Sequence, residues 1–170
     1  RADGVIGSSD TYRDEPMKYH VDVPERATVY VGNDLAAFDA GAAENEPFVG
    51  KSDRAFWVTY AGTLGASYDI GTLIRAADIL KRRGVEDVRV MLLGDGPQRA
   101  ELESLAASLT GNVTFLGYLP YPVMAAYLTR SDVTVNSVAK KAAQSIVSKI
   151  GDYLAAGKPM INTGPDPEFR

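Results

Sequence analysis

Residues 56–97 read FWVTYAGTLGASYDIGTLIRAADILKRRGVEDVRVMLLGDGP: two short β-rich runs, Phe56 to Ala61 and Val88 to Leu93, enclose one helical pattern. Ile70, Leu73, Ile74 and Ala77 repeat at the spacing of a single buried helix face. Lys81, Arg82 and Arg83 then supply a cationic last turn, and Gly84 a stop. Working outward, the same alternation continues. Pro97 opens a second helix carrying Leu102, Leu105, Ala106 and Leu109 on one face. Val113 to Leu116 reads as a strand, Tyr121 to Arg130 as a helix, and Val133 to Val138 as a strand. Ser148 to Ala156 reads as a helix burying Ile150, Tyr153 and Leu154 and ending at Gly157, and Met160 to Thr163 as a last strand. Strict strand–helix alternation predicts an α/β fold: a Rossmann-like parallel sheet with helices on both faces, whose ligands sit at the C-terminal ends of the strands.

The first fifty residues differ. Val5-Ile6 and Val29-Tyr30-Val31 read as short strands, and residues 41–50 (GAAENEPFVG) are small and polar, so a boundary is expected near Gly50. The chain opens at Arg1 and stops at Arg170 inside a Pro-rich stretch, which reads as a piece cut from a longer protein.

Composition narrows the function. With 18 Lys plus Arg against 22 Asp plus Glu, the net charge of −4 argues against a nucleic-acid partner. The absence of cysteine excludes disulfides, thiolate metal sites and cysteine nucleophiles, and the single His20 builds no histidine cluster, so no metal or cofactor is expected. No apolar run approaches the roughly 20 residues of a membrane-spanning helix, and a cytoplasmic location is expected.

The strand-to-helix loops are where chemistry is sought. Gly62-Thr63-Leu64-Gly65 brings bare backbone close to a helix start, which suits either a phosphate or a plain tight turn; it is neither a full dinucleotide fingerprint nor a Walker loop. In Gly94-Asp95-Gly96-Pro97, Asp95 reads as a helix cap. Ser148 fits an N-cap, which puts Lys149 in a first helical turn, where a cation opposes the helix dipole unless an anion is present. Lysine beside helix amides makes a diphosphate site; a solvated lysine is the alternative. Asp152, three residues on, is also placed to be its ion-pair partner. Lys140 and Lys141 read as solvated charge or phosphate contacts, and Tyr118 and Tyr121 as packing or base-stacking rings.

Taken in order, these motifs resemble the C-terminal, donor-binding half of a GT-B glycosyltransferase of the family 4 type. They are Gly62-Thr63-Leu64-Gly65, Leu92-Leu93-Gly94-Asp95-Gly96-Pro97, Val113-Thr114-Phe115-Leu116-Gly117, Arg130-Ser131-Asp132-Val133, and Ser148-Lys149-x-x-Asp152 running on to Ile161. The likeness spans roughly Trp57 to Thr163. It implies that residues 1–50 are the end of an N-terminal domain plus the interdomain segment. Residues 51–170 would be the nucleotide-sugar donor-binding domain, C-terminally incomplete.

The resemblance further implies that Gly62, Thr63 and Leu64 line the diphosphate, that Gly117, Tyr118 and Leu119 contact the base, and that Lys149, next to Ser148, stabilises the leaving diphosphate. Gln144 and Asp152 stand where many relatives carry a pair of glutamates for sugar and ribose. Where relatives have a basic pair around the first loop, this chain has Thr63 and Ala66-Ser67-Tyr68-Asp69. The implied parent transfers a sugar from a UDP- or GDP-type donor, with retained configuration, to a saccharide or lipid-linked acceptor held by the missing N-terminal domain. Its expected setting is bacterial surface-polysaccharide synthesis, with peripheral contact at the inner face of the membrane; this piece alone is expected to be inactive. The competing readings are a nucleotide-sugar 2-epimerase, which would want carboxylates and histidines in the cleft, a non-catalytic nucleotide-sugar-binding or interaction domain, and a nicotinamide-binding domain, which lacks its three-glycine fingerprint.

Overall fold

The computed structural model describes residues 3–19, 23–109, 112–142 and 148–164. In chain order its elements are β1 (Gly4–Gly7), α1 (Asp10–Asp14), β2 (Glu25–Thr28), α2 (Leu35–Asn45), β3 (Phe56–Ala61), α3 (Ile70–Arg82), β4 (Val88–Leu93), α4 (Arg99–Ala107), β5 (Val113–Gly117), α5 (Tyr121–Arg130), β6 (Val133–Asn136), α6 (Lys149–Ala155) and β7 (Met160–Asn162). The main sheet runs β5-β4-β3-β6-β7 with every neighbouring pair parallel. The chain steps outward from β3 to β5, then crosses back to lay β6 on the other side of β3. Such a reversal opens a crevice beyond the strands' C-terminal ends.

Side chains of a strand alternate between faces, so β3 and β4 feed two cores. Trp57, Ala61, Met91 and Leu93 pack with Phe38, Ala126 and Tyr153 of α2, α5 and α6, while Tyr60, Val90 and Leu92 pack with Ile70, Ile74 and Leu102 of α3 and α4. The result is the expected Rossmann-like three-layer unit. Asp132, just before β6, accepts from the Trp57 backbone N–H and from Lys51 Nζ, both at 2.6 Å, and ties the start of β3 to β6.

Several expectations are corrected. The segment 29–31 is not a strand: β2 lies at Glu25–Thr28, pairing in parallel with β1, and Val29, Tyr30 and Val31 are exposed. The small residues before Gly50 belong largely to α2, which is small because it lies close against α5: a Cβ on Gly41 would stand 2.7 Å from Pro122 Cα. The strand begun at Val133 ends at Asn136, because Val138 turns aside to bridge Tyr68. Leu154 is exposed rather than buried, and α4 starts at Arg99, two residues after Pro97. Asp95 does not cap that helix; its carboxylate accepts from the Gly96 N–H (2.7 Å) and from Arg99 (3.0 Å).

Candidate functional site

Three loops at the C-terminal ends of β3, β4 and β5 are stitched together by backbone. Gly62 N–H donates to Leu93 O (2.8 Å), Leu64 N–H to Asp95 O (2.9 Å) and Gly94 N–H to Gly117 O (2.7 Å). This closeness requires glycine. Gly94 has φ +127°, and a Cβ there would overlap the Gly62 carbonyl. On the other side, the loop after β3 is zipped to the loop after β6. Asp69 N–H donates to Ser137 O (3.1 Å), Ser137 Oγ to Asp69 O (2.7 Å), and Ala139 N–H to Ser67 O (2.9 Å).

Lys149 enters this junction from the first turn of α6. It is only 9% exposed, its Nζ donates to the Tyr60 hydroxyl (2.9 Å), and that hydroxyl donates to Thr63 O (2.8 Å). The same Nζ lies 3.5 Å from the centre of the Tyr68 ring and 4.2 Å from that of Tyr60. A Cβ on Gly62, whose φ is +145°, would come within 2.5 Å of it. Among the described residues no carboxylate pairs with this ammonium. Burial pushes it down from the ordinary lysine value to about 7. Burial raises the Tyr60 and Tyr68 phenols, so both stay neutral and offer Lys149 only ring faces and a hydroxyl dipole. A buried cation with neutral partners is an electrostatic demand for an anion.

Two pockets flank this centre and share Thr63. One, of about 290 Å³, is lined by Gly62, Thr63, Gly94, Asp95, Tyr118 and Leu119, together with Leu93 and Met124. The other, of about 270 Å³, lies between the zipped loops, lined by Thr63, Gly65, Ala66, Ser67, Tyr68, Val138 and Ala142. A ligand with a charged middle and a bulky group at each end fits this arrangement.

The structure thus brings Gly62, Thr63, Tyr118, Leu119 and Lys149 to one crevice. Gly117 is buried at its edge with φ +71°. Leu64 is not on the ligand side: it is fully buried in the core under α3 and α4, and its N–H is engaged by Asp95 O. Ser148 occupies the N-cap position in helical conformation and makes no side-chain cap. At the start of α3 one amide is engaged by a side chain, since Asp69 caps the helix by accepting from Thr72 N–H (3.0 Å).

Asp152 is no ion-pair partner of Lys149. It accepts from Asn33 Nδ2 (2.9 Å) and lies 3.1 Å from the Tyr121 hydroxyl. Burial raises its carboxyl above the usual value, against the lowering effect of the nearby Tyr121 hydroxyl and the Asn33 amide. Gln144 and His20 lie outside the described residues. Tyr60, Tyr68 and Asn33 were missed from sequence: the first reads as a strand residue, the second as loop, and Asn33 lies more than a hundred positions from the helix it touches.

A family model described as glycosyl transferases group 1 matches residues 55–168, well over half of the chain. The chain belongs to the group 1 glycosyl transferases. No curated protein sequence matches it. Among solved structures, Anabaena HepE in complex with UDP superposes with a TM-score of 0.77 at 18% identity, covering 95% of this chain and 44% of that one. WaaG, a glycosyltransferase involved in lipopolysaccharide biosynthesis, gives 0.74 at 14% identity over 92% of this chain and 43% of its own. Sucrose-phosphate synthase from Thermosynechococcus elongatus gives 0.72 at 21%, over 95% and 41%. At such identities the likeness shows the shared fold, and this group 1 chain spans less than half the length of each of these structures.

Proposed function

We propose that residues 51–170 form the donor-binding half of an enzyme that transfers a sugar from a nucleotide-diphosphate sugar, of UDP or GDP type, to a saccharide or lipid-linked acceptor. Lys149 carries this reading: it is a buried ammonium with no carboxylate partner among the described residues, held against bare backbone at the switch of the sheet. In the transfer, the bond between the anomeric carbon and the diphosphate oxygen breaks as the acceptor oxygen bonds that carbon, with retained configuration; negative charge builds on the leaving diphosphate, which takes up the acceptor hydroxyl's proton. A protonated Lys149 is placed to stabilise that charge in a site of low dielectric. The pocket beside the exposed Tyr118 takes the base, and the pocket between the zipped loops takes the sugar.

Residues 1–50 are the end of a preceding domain and the segment leading out of it, and the acceptor and the remaining catalytic groups belong to that domain. The chain alone therefore binds donor without turning it over. Among the described residues no helix is long and apolar enough to cross a membrane. A role in bacterial surface-polysaccharide synthesis at the cytoplasmic face of the membrane suits the family and the likeness to WaaG, a glycosyltransferase involved in lipopolysaccharide biosynthesis.

Calorimetric titration of the 170-residue chain with UDP, GDP and ADP tests the proposal. Saturable binding of one of them, weakened about tenfold to a hundredfold by Lys149→Ala, is expected, the span being that of one lost charge-assisted hydrogen bond. A folded chain that binds none of the three would overturn it.

A further inference from the structure

Helix α6, which presents Lys149, is short, and Ser148 gives it no side-chain cap. Two polar anchors fix it instead. Tyr153 Oη donates to Val135 O (3.1 Å) and accepts from Ala61 N–H (2.8 Å), pinning the helix to β3 and β6. One turn from Lys149, the Asp152 carboxylate is held by Asn33, which lies on the segment leading into α2.

Asn33 is itself well fixed. Its neighbour Asp34 caps α2 by accepting from Ala37 N–H (3.0 Å), and α2 packs on α5 through the edge-to-face pair of Phe38 and Tyr121. The Tyr121 hydroxyl donates to Asn33 Oδ1 (2.9 Å), which leaves Asn33 Nδ2 aimed at Asp152. Gly151 leaves room for this approach, since a Cβ there would already stand 3.4 Å from Asn33 Cβ.

We propose that Asn33 is a positioning residue for Lys149: by holding Asp152 it sets where the ammonium meets the Gly62 loop, and so links the segment preceding the domain to the diphosphate site. The inference rests on the reading of Lys149 as the diphosphate's cation. On this account Asp152 transmits the position of Asn33 to α6 through the oxygen it offers to Asn33 Nδ2.

A double-mutant cycle on the 170-residue chain tests it, using whichever of UDP, GDP and ADP binds most tightly, with melting curves to confirm folding. Asn33→Ala should weaken binding by about fivefold to tenfold, and in the Lys149→Ala background the same change should have less than about a twofold effect, since an indirect residue couples fully to the group it positions. If Asn33→Ala does not fold, Tyr121→Phe, which keeps the ring against Phe38, replaces it in the cycle. Wild-type affinity in the folded Asn33→Ala chain overturns the proposal. So does a factor that persists in the Lys149→Ala background. Unchanged binding in Lys149→Ala alone would instead bring down the reading of the site, and this inference with it.

Discussion

Lys149 Nζ lies 3.5 Å from the centre of the Tyr68 ring, so an aromatic face covers the ammonium. An arginine or lysine there would repel Lys149; the ring attracts it and shields it from water. Among the described residues its partners are the neutral Tyr60 hydroxyl and two phenol rings, and burial lowers the ammonium to about 7.

Replacing Lys149 by methionine separates binding from stability. The thioether fills similar space without a charge to desolvate, so at pH 6 the Lys149→Met chain should melt higher than the wild type, by roughly 2–4 °C for each kcal/mol recovered. Its nucleoside-diphosphate binding should weaken about tenfold to a hundredfold, as for Lys149→Ala. Thermal melts beside calorimetry check both, and a lower melting temperature with intact binding would go against the account.

The pH dependence has a definite sign. In the folded chain Lys149 loses its proton near 7, whereas in the unfolded chain it keeps it to the ordinary value of 10.5. Between these limits the unfolded state binds more protons, so this group's contribution makes the empty chain more stable as pH rises from about 7 toward 10.5. Below 7 both states are protonated and the burial cost is fully expressed. Denaturant melts across this range should show a rising component that Lys149→Met lacks. Diphosphate binding runs the other way and should weaken above pH 7, because the bound state requires the proton.

Glycine substitutions should sort by backbone geometry. Gly94→Ala puts a Cβ on the Gly62 carbonyl at φ +127° and should cost on the order of 1–3 kcal/mol or more. Gly62→Ala should in addition displace Lys149 and weaken binding. Gly50→Ala, with nothing within 4 Å, should change stability by less than about 0.5 kcal/mol. Urea unfolding of the three variants reads this order directly.

Tyr153→Phe keeps the buried ring and removes its hydroxyl, leaving the Ala61 N–H without the oxygen it donates to at 2.8 Å. A loss of about 1–3 kcal/mol is expected from that unpaired buried donor. A neutral effect in urea unfolding would mean that α6 is not anchored through Tyr153.

The sheet was legible because its signals are local. Phe56–Ala61 and Val88–Leu93 are bounded by glycines and charges, and Ile70, Ile74 and Ala77 mark a helix face by spacing alone. Helix α2 was not legible: Gly41 and Ala42 are small because α5 lies against them, and a stripe of small residues resembles a linker until its partner is known. At the site, Lys149 stood out because a cation at a helix start opposes the dipole. Its burial between Tyr60 and Tyr68, and the capture of Asp152 by Asn33, arise from contacts across the fold that no spacing encodes.

The central claim, that Lys149 is the cation of a diphosphate site, is tested most directly by following the Lys149 Nζ resonance in lysine-labelled chain as pH is varied, with and without the tightest-binding nucleoside diphosphate. The account predicts a midpoint of about 7 in the empty chain that moves up toward the ordinary lysine value of 10.5 when the nucleotide binds. A midpoint that stays in place while the nucleotide is bound would contradict it.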